Sequence, residues 1–417
     1  MFSHLSYKKD TLDMSTFKRG LLVLLEPAGF LMNELIISTG YQQLSEKPLT
    51  GAFTHVNNEL ISRSTGPDIL SRLEGVTNGL AFVRKSTVGE NESSPELRIR
   101  GQSTIHGDGS PLIVLDNFPY EGDIDNINPN DIESVTILKD AAASSIWGAR
   151  AGNGVIVITT KKGGRNKPLS VGMNSNITVG LKPDLYYNPA FISSADYIGI
   201  EKELFKRGFY TPADEVMLSP VIEALYADNE ADLSGLEGID YRKDASRLFY
   251  RNRIQQQYSL FFRGGGERYD YYLSGGYDDD RGNVRNNRDR RYTLQTNFHF
   301  EPVKKLEVSI GLNTAFRENN PNGLDVISIL SGGKQALPPY TVFVHPDGSP
   351  AVVSRYYRQL YVDQAEQNGL LNWQYRPLEE MELNDISNKT TENRINAGIS
   401  YGVLPSLRLE VRYQHHG

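Results

Sequence analysis

Cysteine is absent from the 417 residues, which excludes disulfides, thiolate metal sites and cysteine nucleophiles. Long apolar runs are absent too. No stretch approaches the roughly 18 apolar residues that a spanning helix requires, and mean hydropathy is −0.43. A helical membrane protein is thereby excluded, but a β-barrel is not, because its strands alternate outward apolar with inward polar residues and average to a polar sequence. Nor is there an excess of positive charge. With 44 Lys and Arg against 51 Asp and Glu, the net charge of −7 argues against nucleic acid as the main partner. Catalytic and metal signatures are missing as well. Residues 264–266 (three glycines) lack the spacing and Lys of a phosphate loop. Neither Asp278, Asp279, Asp280 with Asp289 nor the segment 123–131, with Ile127 and Asn128 at key positions, has calcium-loop spacing. His415 and His416 have no HExxH context, and no serine sits in a nucleophile elbow. The sequence therefore points to no enzyme, no catalytic residue, no metal site and no cofactor.

What is present points to β structure. The chain holds 23 Tyr, 16 Phe and 38 Gly, types that suit pleated surfaces and turns. Residues 1–32 read as the tail of a small β domain with a strand at 21–25. That five-residue apolar run, ended by Glu26 and Pro27, is too short for a signal-peptide core. Residues 42–163 read as a mixed α/β segment. Pro67 and Asp68 start a helix whose Ile69, Leu70 and Leu73 share a face and which Gly75 ends. Short strands are expected at 80–83, 97–101, 112–116, 134–139 and 154–161. A second helix, 141–148, would be capped by Asp140.

Past Gly163 the pattern changes to longer strands of strict alternation. Tyr258, Leu260 and Phe262 share one face, while Gln257, Ser259 and Phe261 share the other. The same period recurs in Tyr271/Leu273/Gly275/Tyr277, in Tyr292/Leu294/Thr296/Phe298/Phe300 and in Leu306/Val308/Ile310/Leu312. It returns in Ile395/Ala397/Ile399/Tyr401 and Leu407/Leu409/Val411/Tyr413. Long connections such as 278–290 alternate with short ones such as 301–305, as outer loops and periplasmic turns do. Two inserts interrupt the strands: an amphipathic helix at 193–208, and an excursion at 323–389. The aromatics of the latter (Tyr340, Tyr356, Tyr357, Tyr361, Trp373 and Tyr375) stack on a ligand or pack within the loop.

Four phrases carry a resemblance: LRIRG at 97–101, PLIVLDNFP at 111–119, INPNDIESVTILKDAAA at 127–143 and WGARAGNGVIVITTKKG at 147–163. In this order they resemble the plug of the SusC/RagA family of TonB-dependent transporters. Asp116-Asn117 stands where that family usually has Asp-Gly, and Asn tolerates the positive φ of a tight turn. Trp147 and Gly152 replace a usual Tyr and Ala. The resemblance implies an α+β plug domain followed by antiparallel transmembrane β-barrel strands. It divides the chain into 1–32, the tail of a carboxypeptidase-regulatory-like β domain; 33–41, TonB box and linker; 42–163, plug; and 164–417, an N-terminal portion of the barrel with extracellular loops.

The plug-motif residues are Arg98, Arg100, Gly101, Asp116, Asn117, Asp131, Lys139, Asp140, Gly148, Arg150, Asn153 and Gly154, with Asp131 expected to cap the segment leading into the next strand. Glu34, Leu35, Ile36, Ile37 and Ser38 occupy the place of the TonB box, where an extended peptide adds a strand to its partner's sheet. The resemblance further implies import of a glycan oligosaccharide or a peptide across the outer membrane of a Gram-negative bacterium. Implied partners are TonB with ExbB/ExbD, a SusD-like surface lipoprotein and outer-membrane lipid. A non-transporting receptor or signalling member, or an inactive remnant, is the alternative. Such transporters close with about 22 strands, against some seven candidates here, so a longer protein with an upstream export signal is expected.

Overall fold

The computed structural model describes residues 36–38, 43–45, 53–83, 96–99, 109–139, 145–187, 191–210, 219–228, 233, 235–324, 326–331, 337–354, 357, 359–404 and 407–417. The β domain expected over 1–32 lies outside them. The hairpin pair β1 (Ile36–Ser38) and β2 (Gln43–Ser45) comes first. A five-stranded sheet follows, in the order β3 (Phe53–Asn57), β8 (Ile132–Leu138), β9 (Val155–Thr160), β6 (Leu112–Leu115) and β7 (Phe118–Pro119). β4 (Leu80–Val83) and β5 (Glu96–Ile99) pair separately.

Strand β9 reads as a continuous apolar run because both of its faces are covered, as a strand with a parallel neighbour requires. Its Val155, Ile156, Val157 and Ile158 are all buried. The helices are short. α1 (Asn58–Ile61) is capped by Asn57, and α2 (Ile69–Leu73) by Asp68, whose carboxylate accepts from Ser71 N at 2.7 Å. Ile69, Leu70 and Leu73 enter the core with Val135, Ile137 and Ile156. Gly75, at φ 81°, follows the helix as the residue without a Cβ penalty there. The helix expected over 141–148 differs: its described part, 145–151, is 3-10 and is broken at Gly148 (φ 62°).

Seven long strands make the second sheet, each antiparallel to the next in chain order: β10 (Ser170–Gly180), β11 (Arg253–Gly265), β12 (Tyr269–Arg281), β13 (Arg288–Val303), β14 (Leu306–Asn320), β15 (Asn388–Leu404) and β16 (Leu407–His416). The sheet is open, with β10 and β16 at its edges. Its burial is inverted relative to a water-soluble sheet. Leu273, Ile310 and Val411 are 40%, 54% and 73% exposed, whereas Tyr272, Ser274 and Gln295 on the opposite face are 1%, 1% and 6% exposed. Apolar-out, polar-in alternation is what a wall between lipid and a filled lumen needs.

Register places Tyr258, Tyr277, Tyr292 and Phe316 side by side across four strands, with ring centroids 6.3, 4.9 and 6.2 Å apart. Tyr269 and Phe300 pair nearer the opposite end. Tyr269 and Tyr277 stand eight residues apart on β12, roughly 27 Å along an antiparallel strand. That is the spacing of two aromatic girdles about an apolar band.

The polar run 278–280, expected in a loop, continues β12. Asp278 faces Arg291 and Asp279 faces Arg290 in the β13 register, and Asp280 pairs with Arg253 of β11 at 2.6 Å. Opposite charges across strands let the sheet run on where composition alone suggests a turn. No helix among the described residues is long and apolar enough to cross a membrane. Instead, helices fill the two long connections. α3 (Ser194–Lys206), α4 (Pro220–Tyr226) and α5 (Tyr241–Leu248) lie between β10 and β11. α6 (Val326–Ser331), α7 (Gln359–Gln367) and α8 (Pro377–Leu383) lie between β14 and β15. The two connections share a core of Tyr241, Phe249, Ile329, Leu330 and Phe343, locked by Tyr241 Oη donating to Leu330 O at 2.7 Å.

Candidate functional site: the seat of the plug in the wall

The five-stranded domain rests against the polar face of the seven-stranded wall, and side chains from six wall strands reach it. Buried Arg72 of α2 donates to Gly66 O (2.8 Å), to Asn130 Oδ1 (3.1 Å) and to Gln257 Oε1 of β11 (3.4 Å). Burial pulls its guanidinium pKa down to about 10, with Asp278 opposing, so it stays charged at neutral pH. Arg291 of β13 donates from Nε and Nη2 to the one oxygen Asp278 Oδ2 (3.0 and 2.8 Å), and also to Pro67 O at 2.8 Å and to Asp125 O. Arg317 of β14 reaches Asp123 at 3.1 Å, and Asn174 of β10 donates to Asn130 at 2.9 Å.

A second anchor centres on Asp131, 2% exposed, which accepts from Tyr272 Oη of β12 at 2.8 Å. Burial raises its carboxyl pKa above the ordinary range, while Tyr272 and the nearby Lys161 ammonium act in the opposite direction. Burial likewise lowers Lys161, whose Nζ donates to Asn130 O at 2.8 Å. The third anchor is Glu392 of β15, which accepts from Tyr120 Oη (2.9 Å) and Asn126 Nδ2 (3.0 Å). Burial, and after it the Glu392 carboxylate, raises the Tyr120 phenol. Bonds of this kind are charge-assisted and largely out of water, so each is stronger than a surface contact and costly to leave half-made.

Wall glycines make room for the seat. A Cβ on Gly276 would stand 2.4 Å from Asn128 Nδ2, the group that donates to Thr293 Oγ1 at 3.0 Å, whereas one on Gly275 would meet nothing nearer than Thr293 O at 4.0 Å. The adjacent glycines thus have different reasons to be there.

The sequence-singled residues do not gather in one cleft. Asp116 and Asn117 both take positive φ (49° and 74°) at the β6–β7 turn, and the Asp116 carboxylate accepts from Thr160 N and Oγ1 at 2.9 and 2.8 Å. Gly154 has φ 91°, and a Cβ there would stand 3.0 Å from Ile99 Cδ1. Arg150 pairs with Glu121 at 2.7 Å on the surface, and Asn153 donates to Ser110 O at 3.4 Å. Lys139 lies along Gly79, Gly148 sits in the 3-10 break, and Arg98 is on β5. Arg100, Gly101, Asp140, Glu34 and Leu35 fall outside the described residues. Ile36, Ile37 and Ser38 form β1, paired with Gln43–Ser45. Asp131 departs from its expected role: Asn128 caps the 3-10 turn Pro129–Asp131, and the Asp131 carboxylate turns into the wall because Tyr272 offers the donor there. Gln257, Tyr272, Arg291 and Glu392, which complete the seat, carry no local motif. Only the alternation that puts them on the polar face hints at them. Among the described residues no group of three or more His, Asp or Glu side chains is placed to hold a metal ion.

Residues 45–155 match the family model described as the TonB-dependent receptor plug domain. Over 408 residues the chain is 25% identical to TonB-dependent receptor SusC of Bacteroides thetaiotaomicron, covering 93% of this chain and 37% of that protein. TonB-dependent receptor P39 of Formosa agariphila is 27% identical over 301 residues, with 72% and 26% covered. Among solved structures, the RagAB peptide importer in its open-open state superposes with a TM-score of 0.69 at 21% identity, covering 91% of this chain and 42% of that one. The chain therefore spans well under half the length of the proteins it matches. A plug match at residues 45–155, SusC-like relatives and the fold of RagAB, joined to a plug seated against an apolar-faced wall, mark the chain as SusC/RagA-like, with the plug domain of a TonB-dependent receptor.

Proposed function

We propose that the chain is the plug and part of the wall of an energised importer that carries a nutrient, a glycan oligosaccharide or a peptide, across the outer membrane. In this reading a SusD-like surface lipoprotein delivers the nutrient, and TonB, with ExbB and ExbD, supplies the pull. The observation that carries it is a plug held by polar side chains within a wall of outward apolar residues, with a strand-forming segment, Ile36–Ser38, directly ahead of it.

Force enters through main-chain hydrogen bonds when an extended peptide joins a partner's sheet, so side chains matter less than N–H groups there. In the structure Ile36 faces Ser45 and Ser38 faces Gln43, so the segment already takes the strand conformation a partner needs. Ile36→Pro removes a donor and fixes φ. Capture of the host TonB periplasmic domain by the detergent-solubilised receptor is expected to fall at least tenfold in Ile36→Pro and to persist in Ile36→Ala. The core of residues 53–160 should melt as in the parent. A proline variant that captures TonB as well as the parent would refute this placement of the TonB box.

A further inference from the structure

The long β14–β15 connection carries six aromatics of interest, and the structure sorts those it describes. Tyr340 is consumed by packing: it is 2% exposed, donates to buried Glu201 at 2.8 Å and lies edge-on to Tyr197. Tyr375 packs against the core shared by the two loops. Tyr357, Tyr361 and Trp373 behave differently. Their rings form an open run, with Tyr357 in the middle, 5.3 Å from Tyr361 at 30° and 5.8 Å from Trp373 at 42°. Tyr357 and Trp373 remain 42% and 44% exposed.

The run is held in place from beneath. α7 buries Val362 and Ala365, then reverses through Gly369 at φ 87°, with Gly369 N bonded to Glu366 O and Leu370 N to Ala365 O. The returning chain is tied back to the helix on either side of Trp373: Asn372 Nδ2 donates to Glu366 and Gln374 Nε2 to Asp363, each at 3.3 Å. Among the described residues, the two tyrosine hydroxyls and the indole N–H have no protein partner. A fixed row of rings with a rim of amides and carboxylates is a surface awaiting a ligand with flat C–H faces and hydroxyl edges.

We infer that Tyr357, Tyr361 and Trp373 form a stacking platform for a neutral pyranose oligosaccharide. This inference rests on the import reading and narrows its cargo. Each ring spacing is close to the length of one hexose unit, so the row suits a short oligomer better than a monosaccharide. A peptide binding by strand addition needs an open sheet edge, and here the neighbouring backbone is helical and internally bonded.

The sequence contains two tryptophans, Trp147 and Trp373, so Trp147→Phe leaves Trp373 as the sole reporter. The solubilised receptor carrying that change would be titrated with cellohexaose, maltohexaose, mannohexaose and a tryptic digest of casein. At least one hexaose is expected to give a saturable change in Trp373 emission, weakened at least tenfold by Tyr357→Ala. Tyr187→Ala, which removes an exposed ring elsewhere, should leave it unchanged. No response to any hexaose, an unaltered affinity in Tyr357→Ala, or a response to casein peptides alone would overturn the assignment. TonB capture measured on the same preparation separates the two readings: capture without a sugar response sinks the platform, and a sugar response without capture sinks the import mechanism.

Discussion

Replacing Gly163 with alanine is expected to prevent the plug from seating. Gly163 is where the chain leaves the plug for the wall, and a Cβ there would lie 2.5 Å from Tyr271 N, 2.6 Å from its O and 2.8 Å from its C. The obstruction is backbone, and Tyr271 is pinned in β12 between Gly264 of β11 and Phe298 of β13. No rotamer relieves such a contact, and close-packed interiors yield little, so the expected loss is about 3 kcal/mol or more. Gly164→Ala is the matched control. Its Cβ would meet only the Lys167 side chain, Cγ at 2.9 Å and Cβ at 3.8 Å, and rotation about χ1 moves that Cγ aside. Protease protection of residues 53–139 in outer-membrane vesicles should be lost in Gly163→Ala and kept in Gly164→Ala. Passage of a large hydrophilic antibiotic should rise in the first variant alone. Equal behaviour of the two would show that the approach to Tyr271 is not what seats the plug.

Asp131→Ala is the second large effect. The carboxylate is buried, and its removal leaves Tyr272 Oη without its acceptor and Lys161 with Glu133 as its remaining countercharge. Losing a charge-assisted bond and stranding a buried donor together cost about 2–4 kcal/mol. Asp131→Asn keeps an acceptor for Tyr272 and should recover part of that, which distinguishes the bond from simple volume.

The parent and these variants also differ in pH response, because only the parent titrates at residue 131. Burial holds the Asp131 carboxyl above its ordinary value in the seated plug, so the native state keeps a proton that the unfolded chain, at about 3.9, has released. Its stabilising contribution is therefore full at acid pH, below that value, and is lost as pH rises through the raised one. Measured as unfolding free energy with Trp147 as reporter in a Trp373→Phe background, the deficit of Asp131→Asn relative to the parent should shrink from acid towards neutral pH. A deficit that grows instead would mean that Tyr272 and Lys161 outweigh burial.

How much of this was legible beforehand differs from residue to residue. The core strand β9 was readable because a run of Val and Ile bounded by Gly154 admits few other fates. The Asp68 cap and the Gly75 stop were readable because their chemistry is local. The wall strands were readable from period-two alternation, although β12 and β13 run further into the Asp and Arg residues than that pattern suggests. Asp131 was misassigned, since an aspartate beside a turn looks like a cap unless the tyrosine across the interface is known. Residue 131 is 141 positions from its partner Tyr272, and Tyr120 is 272 from Glu392. No window of sequence holds both members of either pair.

By itself, then, the sequence determined the local conformations and the alternation that makes one face of each long strand apolar, because those depend on neighbouring residues and on the pleat. It also held the phrases between residues 97 and 163 that resemble a family of plugs. Only the tertiary structure decided which polar residues on the other face meet the plug, which glycine yields space to it, and which loop aromatics stay open. Those outcomes depend on strand register and on how one domain lies against another, and a shift of a single residue would send every one of these side chains to the opposite face.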